Sequence, residues 1–507
     1  MYQVKYIDKT FLINLINDTG IIKNNIDLTL PSNKYFNNDI IDKEGNIISS
    51  QVKENVIIGY LSTSALGYFG KNKNRKKIYK ATALNYKLPN FRVPYNGKLK
   101  GKLLVIFKFI HWKEKLPTAT IIDVLGFFSE ENIIKAYIYY FGLSLKKMKF
   151  NPSNNILEAT ISRINDEELF SISIDPNGSK DIDDAISMDD KYIYIHIAQP
   201  ISYMNKKDII DISSKRFSTL YLGNKEISLF GNNITKQSSL LVDSVRNCYT
   251  VKFNIMGELI NHYPGTVCLN KNLSYQYVND NKEQFSKLFE FSKKVFNNIT
   301  SAQKLVENWM IHTNCCIGNI LDKTIYRKNV TDITLLNKLD EGSKKYFYDS
   351  SEYIYSSEAS HTILKKMNYL HFTSPIRRMV DNFIHYQLTY KCSLIDDNNL
   401  KQFIIDINRL SKNTSKFHRT LLLRKTIKNI DSFEKTGIIV GIFNNYINIL
   451  IPELGIFRHY IMTSYGEIIN KDNISINQDI KLKIGLVNDI FPYNMLLITT
   501  ELDNYLI

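Results

Sequence analysis

Four aspartates crowd into the stretch SISIDPNGSKDIDDAISM, residues 171–188: Asp175, Asp181, Asp183 and Asp184. Carboxylates gathered this closely repel one another and raise each other's pKa unless a cation neutralises them. Hard divalent ions do so through oxygen ligands, and a pair of them can clamp a phosphodiester for in-line attack by water. The same residues also read as an acidic turn, because Pro-Asn-Gly-Ser is favourable turn sequence and aspartate is common in loops. The formal net charge of the whole chain is +15, so this cluster runs against the overall balance.

A second constellation lies at HFTSPIRRMVDNFIHYQL, residues 371–388. Ser374 suits a helix N-cap and Pro375 the first helical position. Ile376, Met379, Val380, Phe383, Ile384 and Leu388 then fall at helical spacing as one apolar stripe. That register predicts Arg377 and Arg378 in the first turn, where cations oppose the helix dipole unless an anion is bound there. Guanidinium donors are well matched to phosphate. Asp381 also stands four residues after Arg377, the spacing of an ion pair along a helix, and the two readings are compatible.

These two stretches need a scaffold, and 507 residues with 44% hydrophobic content can bury several cores. Sixty-five Lys and Arg against 50 Asp and Glu favour a polyanionic partner, nucleic acid before membrane. The aromatic content of 12% could include residues that stack bases, although most must serve cores and strands. Cys248, Cys268, Cys315, Cys316 and Cys392 form no C-x-x-C pair and no zinc-ligand spacing, which predicts a reducing compartment. No leader pattern and no long apolar run stands out, so the expectation is an intracellular, cytoplasmic protein without a membrane segment.

The acidic stretch is entered by LFSISID and left by KYIYIHIA, which predicts a loop between strands of a mixed sheet. Before it, KNKNRKKIYK (71–80) reads as a basic loop, either a solvated hairpin tip or a nucleic-acid contact. KLPNFRVPYNGKLKGKLLVIFKFIHWKEKLPTATIIDVLG (87–126) reads as a small OB-type β-barrel, and FFSEENIIKAYIYYFGL turns helical before Gly142. Residues 283–322 and 401–430 read as long helices, and the tail from about 431 returns to short strands of a second OB-type barrel.

Together these features resemble the RNase II/RNase R superfamily of exoribonucleases, whose catalytic RNB domain carries T-I-D followed by D-x-D-D-A. Ile174-Asp175 and Asp181-Ile182-Asp183-Asp184-Ala185 match that spacing, and H-F-T-S-P-I-R-R stands intact at 371–378, followed by Asp381 and His385. His196-Ile197-Ala198 matches the family's H-I-A, with Gln199 where an Asp usually follows, and Lys328 stands where a His often follows Tyr-Arg. The segment before the aspartates looks like the second cold-shock domain of the branch containing the catalytic exonuclease of the eukaryotic exosome, here without a recognisable PIN domain. RFSTLYLGN resembles the segment supplying a base-stacking tyrosine, implying that role for Tyr221. LSYQYV and LVENWMI likewise imply an active-site tyrosine at Tyr275 and a sugar-contacting glutamate at Glu307.

The resemblance implies an α+β fold: an RNB catalytic domain of mixed sheet and helices, flanked by small OB-type barrels. The implied boundaries are 1–70 and 71–145 for two cold-shock/OB-like domains, 146–430 for the RNB domain and 431–507 for a C-terminal OB-type domain. The implied activity is processive, 3′-to-5′ hydrolysis of single-stranded RNA to nucleoside 5′-monophosphates by a monomer. The cofactor would be Mg²⁺, with Mn²⁺ as a substitute, held by Asp175, Asp181, Asp183 and Asp184. Catalysis would involve Asp183, Arg377 and Arg378, and RNA would contact Tyr221, Tyr275, Glu307 and Arg377. Two rival classes stay open: a catalytically inactive RNB fold that only binds RNA, and a metal phosphatase or DNA nuclease using the same carboxylate logic.

Overall fold

The structure is a computed structural model. It describes residues 1–7, 10–17, 20–23, 26, 34–85, 88–144, 161–222, 225–242, 244–329, 337, 351–427, 432–442, 446–451, 455–460, 475–485 and 496–499. The chain divides into two compact units, Met1–Leu143 with Arg419–Thr436 and Ile480–Ile507, and Ser144–His418 with Gly437–Asp479.

Within Met1–Leu143 the described residues of the first unit form two β-sheets. One has five strands in the order Gly20–Lys23, Thr10–Asn17, Tyr2–Ile7, Ile40–Ile41, Ile47–Ser49. The other runs Ile57–Ser62, Lys102–His111, Thr118–Gly126, Phe91–Pro94, Lys77–Ala83, Tyr68–Lys71. Ile57–Ser62 also pairs with Lys77–Ala83, which closes the second sheet on itself. Its alternating inward residues, among them Leu61, Phe91, Val105 and Phe107, fill the barrel. The expected boundary between residues 70 and 71 therefore cuts through this sheet. Its first strands come from before residue 71, because the basic loop is the hairpin joining Tyr68–Lys71 to Lys77–Ala83. The expected boundaries at 145/146 and 430/431 lie outside the described residues. Ser129 caps the helix Glu130–Tyr140 by accepting from the Asn132 N–H, and Gly142 at φ +63° follows its end, as the sequence predicts.

The second unit is built on a seven-stranded mixed sheet. Its order is Ile164–Asn165, Leu259–Cys268, Val245–Asn254, Tyr192–Ala198, Asp184–Met188, Ser171–Asp175, Lys271–Ser274. The inner strands are buried on both faces, which is why they read as apolar runs rather than clean alternation. Helices Ala302–Ile320 and Asp397–Ile427 fall in the long-helix regions anticipated from periodicity, and Met379–Tyr390 in the apolar stripe of residues 371–388. The C-terminal residues return to strand at Ser432–Ile442, Tyr446–Ile451, Gly455–Tyr460, Asp479–Gly485 and Leu496–Thr499. The architecture is α+β, and no helix among the described residues is long and apolar enough to cross a membrane.

Candidate active site

The sheet register places the carboxylates. Ser171–Asp175 pairs antiparallel with Asp184–Met188 through Ser171↔Ser187, so the hairpin ends open into the loop that carries Asp181 and Asp183. Ser171, Ser173 and Asp175 share one face of their strand by the two-residue alternation. Asn272 Nδ2 donates to Ser173 Oγ (2.8 Å), and the Ser173 hydroxyl in turn hydrogen-bonds Asp175. Asp175 also lies opposite Ser274 in a parallel pairing, which delivers Tyr275, the next residue, to the same edge.

Below this edge the sheet carries a buried polar thread. Ser187 Oγ meets His196 Nε2 at 2.7 Å, His196 Nδ1 meets Thr250 Oγ1 at 3.0 Å, and Thr250 donates to Asp166 Oδ2 at 2.9 Å. Burial pushes the His196 imidazole down to about 3, so it is neutral and serves the sheet interior. Gln199 accepts from Arg163 Nη2 (2.7 Å) and donates to Thr389 Oγ1 (2.7 Å). A neutral amide thus bridges Arg163 and Thr389.

Asp183 joins the two sequence constellations. Its Oδ1 accepts the Ile376 N–H at 2.8 Å and its Oδ2 accepts from Arg377 Nε at 3.2 Å. The carboxylate is 6% exposed, whereas the Arg377 side chain is 51% exposed. Burial pushes the Asp183 carboxyl up to about 7 despite the opposing pull of Arg377. Burial likewise raises Asp175 and Asp181 to about 6, and Glu226 adds to the shift at Asp181. Asp184 is raised well above the ordinary carboxylate range by burial and then by the charges of Asp175 and Asp183. One oxygen of Asp175, Oδ2, is buried with no hydrogen-bond partner. Among the described residues, however, no three His, Cys, Asp or Glu side chains converge closely enough to hold a metal ion. Asp183 has both oxygens turned to Ile376 and Arg377.

The arginine motif differs from its sequence reading. The helix begins at Met379 with Arg378 as its N-cap, at φ −131° and ψ 133°, and Ser374–Arg377 form a turn before it. Ser374 and Pro375 thus do not start the helix, and neither arginine lies in its first turn. Tertiary pairing overrides the local signal: the Met379 N–H donates to Phe217 O (2.9 Å), the Thr219 N–H donates to Arg377 O (3.1 Å), and Arg378 bridges Ser218. Asp381 pairs with Arg378 at 2.9 Å rather than with Arg377, and also accepts the Ser374 N–H at 2.7 Å. The helix is buried nearly all round, Asp381, Asn382 and His385 included, rather than along one stripe.

Arg378 is consequently the counter-charge of a buried carboxylate. Arg378→Ala should cost about 3–5 kcal/mol of stability, because it strands Asp381 unpaired in the interior. Chemical denaturation measures this, and a loss below about 1 kcal/mol would contradict the assignment.

Tyr221 sits on the short hairpin Leu220–Tyr221/Glu226–Ile227 with its side chain 44% exposed. It is within electrostatic reach of Arg377, Asp181 and Asp183, so its ring stands at the site rather than in a core. Tyr275 senses Asp184, Asp175, Arg377 and Glu307, and its hydroxyl is raised to about 12, chiefly by burial. Glu307 lies on the helix Ala302–Ile320 and pairs with Lys304 at 2.9 Å. The structure therefore brings the four aspartates, Arg377, Tyr221, Tyr275 and Glu307 to one region, while Arg378 is turned to Asp381.

Sequence reasoning missed three supports of this region: the Ile376 N–H, the Asn272–Ser173 pair, and His418, whose Nε2 accepts the Tyr221 N–H at 3.1 Å. None carries a local signal, since each acts through a partner distant in sequence.

Residues 163–290 match the RNB domain family. None of the curated proteins matches the chain. Among solved structures, Mycoplasma genitalium RNase R in complex with ribose-methylated single-stranded RNA superposes with a TM-score of 0.67 at 16% identity, over 98% of this chain and 100% of that one. The same organism's RNase R with double-stranded RNA gives 0.63 at 17% identity, over 90% and 96%. Yeast Ssd1, a pseudonuclease, gives 0.57 at 12% identity, over 82% and 66%. At these identities the likeness is one of fold, and it extends far beyond the segment that the family match covers. The family match falls on the sheet that bears the four aspartates: residues 163–290 carry an RNB domain, and the fold around it is shared with RNase R structures.

Proposed function

We propose that the chain is a 3′-to-5′ exoribonuclease that processively hydrolyses single-stranded RNA to nucleoside 5′-monophosphates with the help of a divalent cation, Mg²⁺ or Mn²⁺. The observation that carries this reading is Asp183, which ties the acidic loop to Arg377 and the Ile376 N–H. Carboxylates and a phosphate-binding group thereby meet in one place, as phosphodiester hydrolysis requires.

Although no three ligands converge among the described residues, two features of the carboxylate cluster suit a cation. Asp175 Oδ2 is a buried oxygen without a partner, and Asp184 bears the repulsion of Asp175 and Asp183, which a cation would relieve. Asp175 and Asp184 would hold it first, with Asp181 and Asp183 beside them. When bound, such an ion supplies a water of lowered pKa and charge neutralisation at the phosphate. Arg377, half-exposed and held by Asp183, would donate to the scissile phosphate as negative charge builds. Tyr221 would stack on a terminal base, its backbone anchored by His418. Tyr275 and Glu307 would contact the sugar end of the RNA. Arg378 is best read as support for the turn that presents Arg377.

Arg377→Ala should lower the single-turnover rate about 10²- to 10³-fold. Arg377→Lys should recover little of it, since a lysine lacks the planar fork. A loss smaller than about threefold would remove Arg377 from the phosphate.

A second reading, an RNA-binding scaffold without catalysis, is favoured by the absence of three converging ligands among the described residues. The deciding experiment is 5′-labelled single-stranded RNA with Mg²⁺. Progressive shortening to a short end product supports the nuclease, and RNA that is bound but left intact supports the scaffold.

A further inference from the structure

Asn272 stands on the edge strand Lys271–Ser274 of the seven-stranded sheet, exposed to solvent, yet its amide makes three hydrogen bonds. Parallel pairing sets it beside Ser173, as it sets Ser274 beside Asp175. Its Nδ2 donates to Ser173 Oγ at 2.8 Å and to Leu240 O at 3.1 Å, and its Oδ1 accepts the Val242 N–H at 3.2 Å. The two backbone groups fix which way the amide faces. A carbonyl only accepts and an N–H only donates, so turning the amide over would break both bonds. Ser173 therefore meets an obligatory donor, and its own hydroxyl proton is left for Asp175.

The same amide reaches the other half of the carboxylate cluster. It grips residues 239–242 at Leu240 and Val242, and these residues in turn hold the acidic loop. Ser239 Oγ accepts the Ile182 N–H at 2.8 Å and donates to Lys180 O at 3.1 Å. The Leu240 N–H donates to Ile182 O at 3.0 Å. Asp181 lies between the two anchored residues, and Asp183 and Asp184 follow directly. One exposed side chain thus ties Asp175 on its strand to the segment carrying the other three aspartates.

Like charges repel, so clustered carboxylates spread apart unless their backbone is held. The spacing matters to the ion as well. Magnesium demands near-ideal octahedral geometry with ligands at about 2.0–2.1 Å, whereas calcium accepts longer and looser arrangements. A brace between the two arms of the cluster therefore bears most on the smaller ion.

We propose that Asn272 is a positioning residue for the cation site, bracing Asp175 through Ser173 and the acidic loop through residues 239–242, and that this brace sets a preference for Mg²⁺ over Ca²⁺. It rests on the aspartates holding a cation. Asn272 touches neither the ion nor RNA in this role and acts through the groups it orients.

The test follows the thermal midpoint of the full chain at pH 8, without RNA, as Mg²⁺ or Ca²⁺ is added to chelator-treated protein. Asn272→Ala should raise the Mg²⁺ concentration that gives half of the midpoint rise by about 10-fold or more. The Ca²⁺ concentration should move by about threefold at most, so the preference between the ions narrows. Because Asn272 is exposed, the cation-free midpoint should stay within about 3 °C of wild type. Ser239→Ala, which releases the acidic loop from the other side, should raise the Mg²⁺ requirement too. The double variant should lose less than the sum of the two, because both act on one spacing. An unchanged Mg²⁺ requirement in Asn272→Ala would overturn the proposal. So would equal losses for Mg²⁺ and Ca²⁺, which would mark Asn272 as an ordinary structural tie. If neither ion moved the wild-type midpoint, the cation reading itself would fall, independently of Asn272.

Discussion

Asp183→Asn should bind single-stranded RNA at least as tightly as wild type and cut it about 10³-fold more slowly. The asymmetry follows from where the side chain sits. Asp183 is buried, and its two oxygens take the Ile376 N–H and Arg377 Nε. An asparagine keeps one acceptor for one of these donors but turns an amide NH₂ toward the other, so the Arg377 guanidinium loses its anchor and its counter-charge together. Removing a negative charge beside an incoming phosphate lowers repulsion, so affinity holds or rises. The fold should tolerate the change, because burial already pushes this carboxyl toward its neutral form and asparagine carries no charge to bury. Single-turnover cutting of labelled RNA, a binding isotherm and a thermal midpoint separate these effects. Cutting above about a tenth of the wild-type rate would remove Asp183 from the reaction. A large fall in the midpoint would instead mark it as a structural staple.

The contrast between Asp183 and Arg378 shows what the sequence could carry. The acidic loop was legible because its spacing is local: a strand, a turn and a strand place Asp175 and Asp184 wherever the sheet goes. The long helix Ala302–Ile320 was legible for the same reason, through periodicity. The start of the helix after the arginines was not. Ser-Pro is a sound local start signal, yet pairing of residues 377–379 with 217–219 pulls Arg378 into an extended conformation and moves the start to Met379. That single non-local contact changes which arginine pairs with Asp183 and which one Asp381 neutralises. The boundary at residue 70 failed similarly, since a polar hairpin looks like a linker until its two strands are seen to pair. Tyr275 shows the converse. Its place at the site depends on the parallel register Asp175↔Ser274, which no window of sequence contains, and only the family resemblance pointed to it.

Chelation should abolish cutting, Mg²⁺ or Mn²⁺ should restore it, and the same ions should raise the thermal midpoint more at pH 8 than at pH 5.5. The geometry sets the direction. Asp175, Asp183 and Asp184 crowd one strand edge, and one oxygen of Asp175 is buried without a donor. In the metal-free protein Asp175 and Asp181 are raised to about 6 and Asp183 to about 7, each from an ordinary value of 3.8. Between those limits the folded chain keeps protons that the unfolded chain has released. Raising the pH through this window therefore favours unfolding, and stability present below about pH 4 is lost by about pH 7. A cation takes the place of those protons, so it has most to restore where they are gone, and a midpoint rise of about 5 °C or more at pH 8 is expected. Asp175→Asn should raise the midpoint of the chelated protein at pH 8 and blunt its response to the cation, since it removes both the buried charge and a ligand. An unchanged midpoint on adding either ion at pH 8, with Asp175→Asn indistinguishable from wild type, would mean that the aspartates hold no cation and that the acidic loop is a turn after all.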